Sequence, residues 1–291
     1  MQCLRDVFFS IFLAALLPAA AAPVSVATWN GDWFPSGRAE HRAHPDVEAA
    51  TTAAAAKMLA AALRAADPSG SNAVILVLNE FRGPRAASNL IERIGIPGLR
   101  LASISAYRRR DRYDAQQDAI ATNLPVADRG WSTWRTAKHE TPPRGYAFAD
   151  IVLEPAVTAR VYAVHLKSNY GATTKEAREL NRAKRAHAVE QLVAQDRKRT
   201  HVIVAGDMNA DAWRKEFAEE RIFALFADAG FANHLAVLPQ ERRGTHPSAR
   251  HGDSALDYVM SRGFVLKGEP HIEPARDLSD HSALVTVLSL P

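Results

Sequence analysis

The chain has 291 residues, 47% hydrophobic and 23% charged, with a formal net charge of +4. That length supports one large core or two modest ones. The mild basic excess suits an anionic substrate without the lopsided charge of a dedicated nucleic-acid binder, and a single cysteine, Cys3, rules out a disulfide framework.

The first predicted element is a secretory signal over residues 1–22. Arg5 supplies a weak basic start, offset by Asp6. "VFFSIFLAALL" is an apolar run too short to span a bilayer comfortably, and "PAAAAP" places small residues for cleavage near Ala21 or Ala22. The expected product is secreted or periplasmic, with no stable membrane insertion. Cleavage removes Cys3, so cysteine nucleophiles and cysteine zinc sites are excluded from the mature chain. Residues 23–291 contain no long Gly/Ser or Pro tract and no internal repeat, and they read as one domain, expected to be monomeric.

Along that domain, "VSVATW" at 24–29 alternates as a strand. A helix is predicted over 46–66, after Pro45 and before Asp67-Pro68. "AVILVL" at 73–78 is a continuous apolar strand, and "LASIS" at 101–105 follows. "RRRDR" at 108–112 reads as a solvated loop. Further strands are predicted at 146–153, 160–166, 201–205, 254–260 and 282–290. Two more helices are expected, over 174–195 with Leu180, Ala183, Val189, Leu192 and Val193 mostly on one face, and over 213–230, which ends on Gly230. Strands of both patterns with helices between them imply two sheets packed face to face and flanked by helices.

Polar residues recur at the ends of these strands. Asn30 follows "VSVATW", Glu80 follows "AVILVLN", and His165 and Asn169 lie in "RVYAVHLKSN". Asp207 and Asn209 follow "HVIVAG", Asp257 sits inside "SALDYVM", and Asp280 and His281 precede the last strand. Strand ends hold side chains in fixed places, and the types found are those of acid–base and metal chemistry. An Asp within an apolar strand such as 254–260 is a costly burial unless it is paired.

The motifs "TWN", "NEF", "HLKSN", "GDMN", "LDY" and "SDH", in that order, resemble those of the endonuclease/exonuclease/phosphatase superfamily, the fold of pancreatic deoxyribonuclease. The resemblance spans residues 24 to 290, and "GDMN" and "SDH" are its most specific pieces. It implies a four-layer α/β sandwich of two packed mixed β-sheets flanked by helices. It also implies metal-dependent phosphoester hydrolysis, with Mg2+ as the cofactor and Mn2+ or Ca2+ as substitutes.

The resemblance further implies the roles. Glu80 holds the metal, with Asn30 and Asp280 completing the site; magnesium favours such oxygen ligands. Asp207 orients or deprotonates the attacking water, or joins the metal shell. Asn209 hydrogen-bonds a phosphate oxygen. His281 polarises the phosphate or protonates an oxygen, with Asp257 as the partner that supports its cationic form. His165 is a second candidate acid, with Asp118 as its suggested carboxylate.

Asn169, Arg144 and Arg182 are candidates for substrate binding. Arg178, Arg182 and Arg185 share a helix face that could follow a phosphate backbone or simply be solvated. His41, His44, His246 and His251 read as loop residues. The preferred substrate is DNA or RNA. A sphingomyelinase-like or other phosphoester hydrolase is the alternative, with Trp131 and Trp134 as the only hint of a membrane-entering hairpin. A binding protein that keeps the fold without catalysis is the alternative of another class.

Overall fold

The computed structural model describes residues 22–37, 45–109, 112–136, 141–249 and 252–291. The signal expectation over 1–22, the readings of His41, His44 and His251, and part of the "RRRDR" loop fall outside these residues.

The chain opens with β1 (Val24–Phe34), crosses through α1 (Pro45–Ala66) to β2 (Ala73–Phe81), and continues through α2 (Pro84–Ile94) to β3 (Arg100–Ile104). A short hairpin, β4 (Arg108–Arg109) and β5 (Arg112–Tyr113), leads to β6 (Gln117–Thr122), β7 (Val126–Thr133), β8 (Gly145–Glu154) and β9 (Val157–His165). Then come α3 (Lys175–Gln195), β10 (Val202–Asp207), α4 (Ile222–Asp228), β11 (Ala232–Asn233) and β12 (Asp257–Arg262). The chain ends with β13 (Val265–Leu266), β14 (His271–Glu273) and β15 (Ala283–Ser289).

These strands build two mixed sheets. One runs β13-β15-β1-β2-β6-β3, with β14 beside β15, and the other runs β11-β12-β10-β9-β8-β7. Each contains one parallel pair, β1/β2 in the first and β9/β10 in the second. Each parallel pair is joined by a long helix, α1 or α3, because parallel neighbours need a crossover. Val24, Val26, Ile75 and Val77 join the core shared with the second sheet, whereas Ala27, Trp29, Leu76 and Leu78 pack with the residues of α1 and α2. The expected four-layer sandwich is therefore the observed one.

Local chemistry explains the helices. Pro45 opens α1, Asp46 and Glu48 sit in its first turn, and Arg64 in its last. The unpredicted α2 has Pro84 in its first turn and left-handed Gly95 (φ 76°) as its cap. It buries Ala87, Leu90, Ile91 and Ile94 on one face, a spacing present in the sequence. Helix α3 starts at the Thr174 cap, whose side chain accepts from the Ala177 N–H at 3.2 Å.

Two helix expectations need correction. The buried face of α3 carries Asn181, Arg185, Ala188, Val189 and Leu192, while Leu180 is exposed. The face is rotated because fully buried Arg185 turns inward to pair with Glu220. The segment 213–230 is a 3-10 turn at Lys215–Phe217 followed by the seven-residue α4, with Glu220 in the break between them.

Candidate active site

Ligand sites in parallel sheets lie at the carboxyl ends of the strands. Both parallel pairs here end on one rim of the sandwich. Asn30 stands in register with Asn79 across β1/β2. Asp207 stands in register with His165 on one side and Asp257 on the other. Three neighbouring strands thus place a carboxylate between a histidine and a second carboxylate.

The rim is tightened by backbone irregularities. Alternation would send Glu80 to the helical face, with Leu76 and Leu78. Its left-handed φ of 61° re-aims it, and its Oε1 lies 3.4 Å from Asn30 Nδ2 and 3.6 Å from His165 Nε2. Asn209 is also left-handed (φ 50°), and its side chain curls back onto Asp207. Gly206 has φ 134°, and a Cβ there would lie 2.0 Å from the Val164 carbonyl oxygen. Gly206→Ala is accordingly expected to force β10 off β9 beside Asp207. Strain and overpacking of ~1–3 kcal/mol should lower both melting temperature and turnover. A variant with wild-type melting and turnover would show that the rim tolerates a Cβ.

Asp207 is the hub. Its Oδ2 accepts from Asn30 Nδ2 at 3.0 Å and from Asn209 Nδ2 at 2.9 Å, and its Oδ1 accepts from the Asn209 N–H at 2.8 Å. The same oxygen, Oδ2, lies 3.5 Å from His165 Nε2 and 3.8 Å from His281 Nε2. Burial raises the Asp207 carboxyl, opposed by cationic His281 and reinforced by Asp257. A carboxylate raised in this way is suited to accept a proton. Asn209 spends its amide hydrogens on Asp207 and on the Leu166 carbonyl, so it orients the carboxylate rather than pointing to a phosphate.

His281 and Asp257 form the expected pair, with Nδ1 and Oδ2 2.7 Å apart. Burial alone would suppress the imidazolium, but Asp257, Asp207 and Asp280 outweigh it and push His281 up to about 10. The dyad is fixed from several sides. Thr245 Oγ1 accepts from the Asp257 N–H at 3.0 Å, Trp29 Nε1 donates to the His281 carbonyl at 3.1 Å, and Ser279 Oγ accepts from the His281 N–H at 3.0 Å.

His165 differs. Burial comes first, then Arg144, His281 and Lys167, and together they hold it well below its ordinary value. It is therefore a neutral imidazole at neutral pH, not a cationic acid. Asp118 makes no hydrogen bond to it. Instead Asp118 accepts from Asn79 Nδ2 at 2.7 Å and from the Tyr107 hydroxyl at 3.0 Å, and burial raises it to about 7. Asn79 also donates to the Val164 carbonyl at 3.0 Å and accepts from the Asp207 N–H at 3.1 Å. Sequence reasoning passed over Asn79, although a buried amide in an apolar strand raises the same cost question as Asp257.

The rim opens into a cleft of about 1180 Å³, lined by Glu80, His165, Asp207, Asp280 and His281. Arg144 and Asn169 line it as expected; Arg108, Lys167, Tyr170, Arg214 and His246 do so unpredicted. Arg144 bridges β8 and β9 by donating to the His165 and Leu166 carbonyls, at 3.0 Å each, and to Gln116 at 3.1 Å. Arg182 is not in the cleft: it pairs with Glu219 and Glu179 on the flank of α3. Arg178 caps the Ala172 and Thr173 carbonyls, and Arg185 is buried, so the arginine face does not follow a phosphate backbone.

For a divalent cation the donor chemistry fits best at Glu80. Its Oε2 is buried without a hydrogen-bond partner, and burial raises its carboxyl with Asp32 adding to the effect. An added cation would relieve both, and Asn30 lies beside it. Asp280, the third expected ligand, is half exposed and lies 3.6 Å from His246 Nε2 and 3.9 Å from His281 Nε2. Among the described residues, two groups have spacing fit for a metal, His246/Asp280/His281 and Asp207/Asp257/His281. Both depend on His281, which would have to give up the proton that Asp257 stabilises, so Glu80 is the better anchor.

Comparison with known proteins supplies the last finding. The sequence profile of the Endonuclease/Exonuclease/phosphatase family matches residues 27–281. No curated protein matches the chain in sequence. Among solved structures, a family protein from Leptotrichia buccalis C-1013-b superposes with a TM-score of 0.63 at 12% identity, covering 92% of this chain and 100% of that one. Sphingomyelinase C from Streptomyces griseocarneus gives 0.56 at 17%, covering 92% and 99%. D. rerio TDP2 complexed with a single-strand DNA product gives 0.58 at 13%, covering 92% and 99%. At these identities the likeness is one of fold.

Proposed function

The chain belongs to the Endonuclease/Exonuclease/phosphatase family of phosphoester hydrolases, whose enzymes use divalent metal ions, and from that premise we propose that it is an exported, Mg2+-dependent nuclease. The observation that carries the catalytic reading is the single hub at Asp207. A buried carboxylate with a raised pKa stands between a cationic His281–Asp257 dyad and a partnerless Glu80 oxygen.

Hydrolysis adds water across a P–O bond, giving a phosphomonoester and an alcohol. Asp207, oriented by Asn30 and Asn209, accepts the proton of the attacking water. His281, held cationic by Asp257, faces the charge that builds on the phosphate oxygens. Glu80 and Asn30 would hold the cation, which supplies charge neutralisation at the phosphoryl group. Neutral His165 fills the floor between Glu80 and Asp207 without adding charge.

Two observations favour nucleic acid over lipid. Arg108, Arg144, Lys167 and Arg214 line the cleft beside the carboxylates of Asp32, Asp114, Glu216 and Asp280, with Arg214 paired to Glu216 at 2.9 Å. The hint of a membrane hairpin is reduced to one residue, because Trp134 is core, while Trp131 is 42% exposed with one edge against Tyr107 at 5.8 Å. Among the described residues, no helix is long and apolar enough to cross a membrane.

The test is an assay of the purified protein with Mg2+ against single- and double-stranded DNA, RNA, sphingomyelin vesicles and inositol phosphates, each repeated in EDTA. Nucleic-acid cleavage that EDTA abolishes is expected. Cleavage of sphingomyelin alone would move the protein to the lipid branch, and no cleavage of any ester would favour a binding protein. Export rests on the apolar run and the small residues after it. Mass spectrometry of the exported protein should find its N-terminus near Ala22 or Pro23, and a retained Met1 would refute cleavage.

A further inference from the structure

The loop that leaves β9 carries Lys167, Ser168, Asn169 and Tyr170 along the cleft. It is held from beneath. Fully buried Arg185 donates through Nη1 to the Lys167 carbonyl at 2.6 Å and to Asn169 Oδ1 at 3.3 Å, while its other nitrogens grip Glu220. Arg144 and Asn209 both donate to the Leu166 carbonyl. The turn closes on itself, with the Ala172 N–H on the Asn169 carbonyl at 2.9 Å and the Tyr170 N–H on Ser168 Oγ at 3.0 Å.

On this fixed turn Tyr170 is 78% exposed, and among the described residues it is the only exposed large apolar side chain that lines the cleft. A ring this exposed on a rigid mount buries further area when something planar stacks on it. The cleft's volume of about 1180 Å³ exceeds the ~300–1,000 Å³ of ordinary small-molecule sites. Arg108, Arg144 and Lys167 supply positive charge for phosphates, although Asp32, Asp114 and Asp280 share the lining. A single tyrosine beside Asn169 and Gly171 is not an apolar patch of the size a membrane surface needs.

We propose that Tyr170 is a stacking platform for an unpaired nucleobase next to the scissile phosphate, so that the substrate is a nucleic acid single-stranded at the site of cleavage. This rests on the nuclease reading above. The face of a base is open to a ring in a single strand and covered by its neighbours in a duplex.

The experiment compares kcat/KM on three probes with Mg2+ present: a single-stranded DNA oligonucleotide, its blunt duplex, and bis(p-nitrophenyl) phosphate, which has no base. Wild type should cut the single strand faster than the duplex. In Tyr170→Ala, kcat/KM on the single strand should fall about 5- to 150-fold relative to the small diester on the same variant, mainly through KM. Tyr170→Phe and Tyr170→Trp should restore the ratio, because stacking needs the ring and not the hydroxyl. An unchanged ratio in Tyr170→Ala, failure of the aromatic variants to restore it, or duplex cleavage equal to single-strand cleavage would overturn the assignment while leaving the nuclease reading intact. A wild-type enzyme that hydrolyses the small diester but no nucleic acid would overturn both.

Discussion

His281→Ala is expected to reduce turnover by ~10²–10⁴, because in the proposed mechanism it removes a buried cation that faces the developing phosphate charge. KM should change less, since the interaction strengthens as charge builds. Asp257→Asn should produce a smaller loss of the same kind, and the double variant should fall little below His281→Ala, as residues acting as a unit are not additive. The dyad also sets a pH signature. With His281 pushed up to about 10, activity should persist to alkaline pH and decline near that value, and Asp257→Asn should move the decline to lower pH. A raised histidine stabilises the fold fully below its unfolded pKa of about 6.5, and that stability is lost as pH rises through the folded value. Circular dichroism at each pH therefore has to separate the catalytic decline from unfolding. Additive losses, or an alkaline limb unmoved in Asp257→Asn, would exclude the dyad.

The Asp257–His281 pair came from the family resemblance, and the cost of burying a carboxylate in an apolar strand gave it a physical reason. The same holds for Asp207, which ends a strand buried on both faces. Asn30, Glu80 and Asn169 followed from their places at strand ends. What the sequence did not carry is direction. Glu80 reaches the cleft through a left-handed backbone, against the alternation of its own strand. Asn209 turns back on Asp207 for the same reason. Asp118 looked like a partner for His165, yet its hydrogen bonds go to Asn79 on the neighbouring strand and to Tyr107.

Long side chains were the other blind point. Arg178, Arg182 and Arg185 have helical spacing, but Arg182 and Arg185 are placed by acceptors far along the chain, Glu219 and Glu220. Strand periodicity recovered the central strands of both sheets. It missed β6 and β7, where Gln117, Asp118 and the exposed residues of β7 blur the apolar pattern. Helix α2 is short, and its flanking Gly and Pro read as loop until its apolar face is counted.

Glu80→Gln should separate function from stability with opposite signs. Burial raises the Glu80 carboxyl, and Asp32 adds to it, against hydrogen bonds from Gln116 and Asn30 and the charge of Arg144. A carboxyl raised in this way favours the fold when protonated, fully below its unfolded pKa, and that contribution is lost as pH rises through the folded value. At pH 8 in EDTA, wild type therefore carries a buried negative charge with one partnerless oxygen. The glutamine variant lacks that charge, so it should melt higher than wild type at pH 8, and the gap should close near pH 4. Adding Mg2+ should reverse the order. A cation bound at a hundred times its Kd stabilises by about 2.7 kcal/mol, or roughly 5–10 °C for a domain of this size. Wild type should show that shift, and Glu80→Gln should lose most of it together with its turnover. Calorimetric titration with Mg2+ gives the affinity directly and does not depend on catalysis. If the variant kept the Mg2+-induced shift and the affinity, Glu80 would not hold the metal, and the half-exposed Asp280 would be the carboxylate to test next.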